Sequence, residues 1–367
     1  MFSLILKTSN ACNMRCDYCS IGKKNPNSIM SCSQMVDAIC WFIEYVKKQG
    51  ECEAFVIFHG GEPLLISVQA YIYCIESIKN KYSDFYMRYS IQTNGTIVND
   101  EVIKMISQYD INIGISLDGE KKVHDGQRHY GNGNSTYDIV LSNIKQLNKA
   151  EINPSIIQVV TKNSINSGFS FLDLFVKLQS PIKVNPLLDM GMAKENDNLQ
   201  LERGDYAKYL INMIKYIENN KLPVLVSPLC ELILKINKVC DISGCTFQKN
   251  CIKNFLCIDS KGDVYPCGRF ADANLNKYGN IRDLSQEEVL TKKNANIYFK
   301  TKECIDCKYF KLCNAGCLAT ITSNEKIPVQ ILCSDYKCIF HFLECKDNYA
   351  FYYDFLIKTL RNQTVVK

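Results

Sequence analysis

Cys12-Asn13-Met14-Arg15-Cys16-Asp17-Tyr18-Cys19 places three thiols within eight residues, spaced C-x3-C-x2-C. A loop this short wraps three thiolates around one side of a metal cluster and does not readily supply a fourth. On a [4Fe–4S] cube that leaves one iron open to a non-protein ligand, whereas electron-transfer clusters are held by four cysteines. An open coordination position marks a site that does chemistry, as it does for zinc. Two blander readings stay open at this level: a zinc site with a distant fourth ligand, and unrelated buried thiols.

Outward from the loop, the chain alternates short apolar runs with amphipathic stretches. Leu4–Lys7 reads as a strand entering the loop. Ser31 or Ser33 caps a helix whose apolar positions Val36, Ile39, Cys40, Ile43 and Val46 recur three and four apart, ended by Gly50. Ala54–Phe58 is a continuous apolar run of the buried parallel type, ending at His59-Gly60-Gly61-Glu62-Pro63. Helices are predicted near 66–81, 99–108, 135–150 and 167–179. Strands are predicted near 85–92, 111–116, 155–160 and 182–185. About six β/α units of this kind predict a parallel sheet with helices outside. In such sheets ligands gather at the carboxyl ends of the strands. The cysteine loop, Gly60-Gly61-Glu62, Thr93-Asn94-Gly95 and Ser116 all come directly after predicted strands, so they are expected on one face.

Residues 186–244 are less legible: a helix over about 203–219 is expected, and Pro223 and Pro228 interrupt the stretch after it. From 245 onward cysteines dominate. Phe255–Asp259 and Val264–Pro266, joined at Lys261-Gly262-Asp263, read as a hairpin. A C-terminal helix is expected through Phe340–Leu360, its aromatic residues serving packing. The expected division is 1–200 for the β/α unit, 201–244 for a connecting helix and linker, 245–345 for a cysteine-rich domain, and 346–367 for the last helix.

The chain has 367 residues, 47% of them hydrophobic and 22% charged, which suits an ordinary globular protein with a sizeable core. No apolar run approaches the ~18 residues of a membrane span, and the first residues form no signal peptide. A cytoplasmic location is therefore expected, with no membrane partner. Twenty cysteines in a reducing compartment point to metal or Fe–S ligation. The net charge of +5 comes from scattered Lys and Arg, and the single Trp gives no stacking platform, so nucleic acid is not an expected partner.

The spacing Cys12-x3-Cys16-x2-Cys19, with Tyr18 before the last cysteine, resembles the radical SAM superfamily. Gly60-Gly61-Glu62-Pro63 resembles that family's GGEP segment, where paired glycines let the backbone approach the methionine end of S-adenosylmethionine (SAM). Ile115-Ser116-Leu117-Asp118-Gly119 and His124-Asp125-Gly126-Gln127-Arg128 are similar to the ISLDG and HDxxR segments of one branch. The resemblance implies SAM contacts from Tyr18, Gly60, Gly61, Glu62, Thr93, Asn94, Ser116 and Arg128. Arg suits such a role because its planar fork grips carboxylate or ribose oxygens.

The C-terminal cysteines resemble the SPASM domain. The fold implied is a partial (β/α)6 radical SAM barrel followed by that small domain, with three [4Fe–4S] clusters in all. The family's crosswise pattern assigns Cys245, Cys251, Cys267 and Cys317 to one auxiliary cluster. It assigns Cys304, Cys307, Cys313 and Cys333 to the other. Two zinc sites remain an alternative, since C-x2-C suits zinc too. Cys257 and Cys338 are possible substitutes for neighbouring ligands, while Cys32, Cys40, Cys52, Cys74, Cys230, Cys240 and Cys345 are expected to be buried small hydrophobes.

The resemblance implies an enzyme whose bound SAM yields a 5′-deoxyadenosyl radical that abstracts hydrogen from a peptide or protein substrate. The expected outcome is a thioether or C–C crosslink in a ribosomally made peptide. Sulfatase-maturase oxidation of Ser or Cys is the alternative; it carries an Asp directly after the cysteine matching Cys267, where this chain has Gly268-Arg269. A non-catalytic Fe–S or zinc scaffold is the reading from another class. A strand beginning at the first residues leaves no room for a leader-binding domain, so a separate leader-peptide-binding protein is an expected partner. A low-potential donor such as flavodoxin or ferredoxin is another. The residue that moves the proton is not identified; Asp118 and Asp189 are candidates only by position near strand ends.

Overall fold

The computed structural model describes residues 1–22, 25, 27–241, 245–248, 251–295, 304–324 and 327–365. Strands β1 (Phe2–Ser9), β2 (Glu53–Gly60), β3 (Tyr86–Thr93), β4 (Asn112–Ser116), β5 (Ser155–Val160) and β6 (Ile182–Pro186) alternate with helices. The helices are α1 (Cys32–Lys47), α2 (Val68–Lys81), α3 (Asp100–Gln108), α4 (Lys121–Asp125), α5 (Tyr137–Lys149) and α6 (Phe171–Lys177). Every neighbouring pair from β1 to β6 is parallel, as the alternation predicts. Leu4 and Leu6 of β1, Val56 and Phe58 of β2 and Ile113 and Ile115 of β4 are all buried and form one core with α1, α2 and α3. Removing each such side chain from water contributes about 1.5–3 kcal/mol, so the sheet's helix-covered face dominates the fold's stability.

Ser31, not Ser33, caps α1: its hydroxyl accepts from the Gln34 N–H, and the Gln34 side chain accepts from the Ser31 N–H. Such a capping box satisfies two otherwise unpaired donors. Ser31→Ala should therefore lower the stability of the fold by about 1 kcal/mol, read as a lower denaturant midpoint at unchanged slope.

The stretch that the sequence leaves blank continues the sheet. Helix α7 (Asp205–Asn220) leads to a two-residue strand β7 (Val226–Ser227), parallel to β6, and then to α8 (Leu229–Ile236). The β7 segment is too short to show a period and is held by tertiary contacts: the Val226 N–H donates to the Tyr352 hydroxyl at 2.9 Å.

The later part begins with α9 (Cys251–Asn254), β8 (Phe255–Ile258), β9 (Asp263–Tyr265), α10 (Gly268–Asp272), β10 (Gly279–Asn280) and α11 (Gln286–Ala295). It ends with α12 (Phe310–Cys313), β11 (Ile321–Asn324), β12 (Ile327–Gln330), α13 (Cys333–Leu343) and α14 (Ala350–Val365). The expected hairpin is β8–β9, and it lies on the main sheet: β8 pairs in parallel with β1, giving the order β10-β9-β8-β1-β2-β3-β4-β5-β6-β7. The free edge of β1 is thereby covered. The single C-terminal helix expected through Phe340–Leu360 is instead two. Its break has a local cause: Asn348 donates to the Phe342 carbonyl at 2.7 Å and Tyr349 to that of Leu343 at 3.0 Å, so side chains satisfy the last carbonyls of α13. Cys40 and Cys74 are buried as expected, but Cys52, Cys240 and Cys345 are exposed. Among the described residues, no helix is long and apolar enough to cross a membrane.

Candidate active site

Two glycines fix the cysteine loop to the end of β2. The Gly61 N–H donates to the Ser9 carbonyl at 2.6 Å and the Glu62 N–H to the Ala11 carbonyl at 2.8 Å. A Cβ on Gly60, whose φ is +129°, would lie 2.1 Å from the Ser9 oxygen; one on Gly61 would lie 2.1 Å from the Ala11 oxygen. Only glycine permits that approach. The other side of the loop is held by the 127–130 segment: Arg15 N–H donates to the His129 carbonyl at 2.8 Å and Asp17 N–H to that of Gln127 at 3.0 Å. Backbone pairing on both flanks thus sets the positions of Cys12, Cys16 and Cys19 before any ligand arrives.

Glu62 is fully buried. Its carboxylate accepts from Thr93 Oγ1 at 2.7 Å, from the Asn94 N–H at 2.7 Å and from the Leu64 N–H at 2.9 Å. Burial pushes its carboxyl up, and these three donors pull the other way. Glu62 therefore ties the β2 end to the β3 end, and Thr93 is oriented by it. Asn94 extends the link to the loop, donating to Asn13 Oδ1 at 2.8 Å and lying 3.8 Å from Cys12 Sγ. Ser116, at the end of β4, accepts from Gln92 Nε2 at 3.4 Å.

Tyr18 and Arg128 meet. Arg128 Nη1 donates to the Tyr18 hydroxyl at 2.7 Å, and that hydroxyl donates to Asp118 Oδ2. Burial, with Asp118 beside it, pushes the Tyr18 phenol well up, so it stays protonated as the donor. Asp118 also accepts from Gln127 Nε2 at 2.9 Å and from the Val159 N–H at 2.9 Å. Its two oxygens are thus engaged in holding the network, and Asp189 is exposed, so neither positional candidate gains support as the proton-moving group. Burial works against the Arg128 charge, but the thiol of Cys16 next to it more than restores it. Arg128 Nε is buried with no protein partner, a donor available to an incoming ligand.

The later cysteines fall into two groups. Burial, then the neighbouring thiols of Cys317, Cys245 and Cys267, push the Cys251 thiol up. Burial, then Cys333, Cys304 and Cys307, push the Cys313 thiol up to about 12. The latter four line one apolar cavity with Tyr309 and Phe340. Four thiolates crowded in a dry pocket repel one another, and a cationic metal core relieves that. The donor sets therefore suit metal–sulfur clusters. Among the described residues, no three His, Cys, Asp or Glu side chains close tightly enough to hold a single metal ion. Cys257 instead lies in β8 opposite Ile5, and Cys338 is exposed.

Four residues escaped the sequence reading as members of the site. Lys7 and Asp272 form a buried ion pair between β1 and α10, and Ser20, next to Cys19, donates to the other Asp272 oxygen at 2.8 Å. Burial alone would pull the Lys7 ammonium down, but Asp272 holds it above the usual range. Arg269 Nη1 donates to Cys317 Sγ at 3.0 Å. The one available signal was Lys7 itself, a charge at the end of an apolar strand.

A profile of the Radical SAM superfamily matches residues 6–165, which hold the cysteine loop, the glycine clamp and the Tyr18–Arg128 pair. The chain is similar to the cysteine-type anaerobic sulfatase-maturating enzyme of Clostridium perfringens, 28% identical over 364 residues, covering 93% of this chain and 95% of that one. The solved structure of native anSMEcpe with bound AdoMet and the Kp18Cys peptide superposes with a TM-score of 0.80 at 25% identity, covering 98% of this chain and 99% of the other. SuiB of Streptococcus suis, bound to its precursor peptide SuiA, shares the fold at a TM-score of 0.64 and 18% identity, over 89% of this chain and 73% of SuiB. The cysteine-loop architecture and near full-length similarity have the same source: this chain belongs to the radical SAM superfamily of enzymes.

Proposed function

We infer from membership that SAM and one [4Fe–4S] cluster are the cofactors. We propose that Cys12, Cys16 and Cys19 hold that cluster. In this reading Gly60, Gly61, Glu62, Thr93, Asn94, Ser116, Tyr18 and Arg128 form or support the SAM pocket. Arg128 contributes its unpartnered Nε–H, while Glu62 and Tyr18 act chiefly by orienting neighbours. The two groups of later cysteines hold two auxiliary [4Fe–4S] clusters. We divide the chain at 1–200, 201–244, 245–345 and 346–367, with β8 docking the cysteine-rich part on the barrel.

The reaction proposed is oxidation of a Cys or Ser side chain in a peptide or protein, of the sulfatase-maturase type. One observation carries it: similarity to a sulfatase-maturating enzyme over 93% of this chain and 95% of that relative. The crosslinking outcome has less support, because the match to SuiB is one of fold. When bound, SAM and its cluster supply the hydrogen-abstracting radical, and the auxiliary clusters supply an electron acceptor. Overall the side chain loses one hydrogen atom from carbon, one proton from oxygen or sulfur, and one electron; Ser thereby gives the aldehyde directly, whereas Cys gives a thioaldehyde that water hydrolyses to the aldehyde with release of hydrogen sulfide. The absent Asp after Cys267 does not leave the site without a carboxylate. Asp272, at the end of the helix that Cys267 begins, reaches the cysteine loop through Ser20 and is held there by Lys7. It is the proposed proton acceptor. The remaining partners in this reading are a low-potential flavodoxin or ferredoxin and, for a leader-bearing substrate, a separate leader-binding protein. Cysteine-rich clusters of this kind suit a reducing cytoplasm.

The test is anaerobic reaction with Cys- and Ser-containing peptides, read by mass spectrometry and by hydrazide labelling. A product that takes up hydrazide is an aldehyde and supports oxidation; a product lacking two hydrogens but inert to hydrazide is a crosslink and overturns it. Asp272→Asn should cut peptide oxidation by about a hundredfold or more while reductant-driven SAM cleavage continues. Unchanged peptide oxidation would remove Asp272 from the mechanism.

A further inference from the structure

Arg269 lies just beyond Cys267 and Gly268, and its guanidinium reaches a thiol 48 residues later in the chain. Nη1 donates to Cys317 Sγ at 3.0 Å, a close contact for an N–H···S bond. Cys317 is buried, and its carbonyl is fixed by Thr320 Oγ1 at 2.7 Å and Gln330 Nε2 at 3.1 Å, so the sulfur is not free to drift from the arginine. Among the described residues no carboxylate forms an ion pair with Arg269. The adjoining cavity sets it beside the rings of Tyr206, Phe247 and Tyr336 and the polar side chains of Lys183, Asn185 and Thr246, none of them an anion. An arginine placed among aromatic rings without a carboxylate calls for another anion. The anion available is the thiolate group of Cys245, Cys251, Cys267 and Cys317.

We infer that Arg269 sets the reduction potential of the auxiliary cluster held by those four cysteines, raising it through a charged N–H···S bond to Cys317. The inference rests on the proposed ligand set. Its physics is direct. Taking up one electron makes the cluster and its thiolates more negative by one unit. A fixed cation beside a buried ligand sulfur stabilises the reduced form more than the oxidised one. The N–H···S bond strengthens as charge builds on sulfur, in the same direction. Arg269 is thus a positioning residue for electron uptake, occupying the chain position next to Gly268 where an acid is absent. A raised potential makes this cluster the better acceptor for the electron released by side-chain oxidation.

The experiment uses the full chain carrying C12A, C16A and C19A, reconstituted with iron and sulfide, so that only auxiliary clusters contribute. Redox titration with dithionite, monitored by electron paramagnetic resonance, gives each cluster's midpoint. R269Q should shift one auxiliary signal to lower potential and leave the other in place. The expected size is on the order of a tenfold fall in the reduced-to-oxidised ratio at fixed potential, about 59 mV for one electron. R269K, which keeps the charge but not the fork, should shift the same signal by less. Equal midpoints in all three proteins at equal iron content would overturn the inference, as would a shift to higher potential. If R269Q loses iron, R269K decides: a lowered midpoint supports the inference and an unchanged one overturns it. A parent protein that binds no auxiliary iron refutes the ligand set itself, and the inference with it, an outcome distinct from equal midpoints.

Discussion

Replacing Cys12, Cys16 and Cys19 together by alanine is expected to abolish reductant-driven release of 5′-deoxyadenosine while the protein still binds iron. The three thiols lie in a loop anchored by backbone bonds from Gly61, Glu62, His129 and Gln127, none of which needs a cysteine side chain. The fold should therefore persist. Iron content after anaerobic reconstitution should fall from about twelve to about eight per chain, because each cube carries four. The later cysteines lie in separate groups and keep their share. Retained SAM cleavage in the triple variant would refute the assignment of this loop as the cluster site. Bound zinc in place of iron, with no SAM cleavage by the unaltered chain, would refute the enzyme's proposed cofactor set as a whole.

Gly61→Ala is expected to have the second-largest effect, through sterics alone. The added methyl would sit 2.1 Å from the Ala11 oxygen, 2.7 Å from its carbonyl carbon and 2.9 Å from the Asn10 carbonyl carbon. All three are backbone atoms, so no side chain can rotate out of the way. Either β2 or the cysteine loop must move, and the 2.6 Å and 2.8 Å bonds that join them are lost. Overpacking of this kind costs about 1–3 kcal/mol. The larger consequence is positional. Moving the loop also strains the Asn94–Asn13 contact, which links the loop to the end of β3. SAM binding, measured by equilibrium dialysis, should fall by about tenfold or more, since a lost 1.4 kcal/mol is already tenfold. Gly131→Ala is the control: nothing lies within 4 Å of its added methyl, so binding and melting temperature should not change. Equal SAM affinity in both variants would show that the close approach of β2 to the loop is dispensable.

The local patterns carried far. Apolar runs of strand length, helical spacing and capping residues are consequences of forces between residues a few positions apart, so the β/α alternation and the strand-end placement of Gly60, Thr93 and Ser116 are legible in the sequence. Elements whose existence depends on distant partners did not show. Strand β7 has two residues and exists because β6 and Tyr352 are beside it. The break between α13 and α14 depends on side-chain donors that fold back on the last carbonyls. The docking of β8 on β1 joins residues about 250 positions apart, a separation no periodicity records.

The site divides in the same way. By itself, the sequence determined the three-thiol loop and the glycines that admit it, because both are set by short spacings and by the absence of a side chain. It also determined the repertoire of later cysteines. Tertiary structure decided which of the later thiols are neighbours, bringing Cys251 to Cys245, Cys267 and Cys317, holding Cys257 in β8 and leaving Cys338 exposed. It also decided that Tyr18, Arg128 and Asp118 share one network, and that Lys7 meets Asp272 across the chain. The physical reason is range. Spacing and backbone freedom are properties of a few consecutive residues. A buried charge, in contrast, is defined by whichever anion or cation the completed fold brings to it.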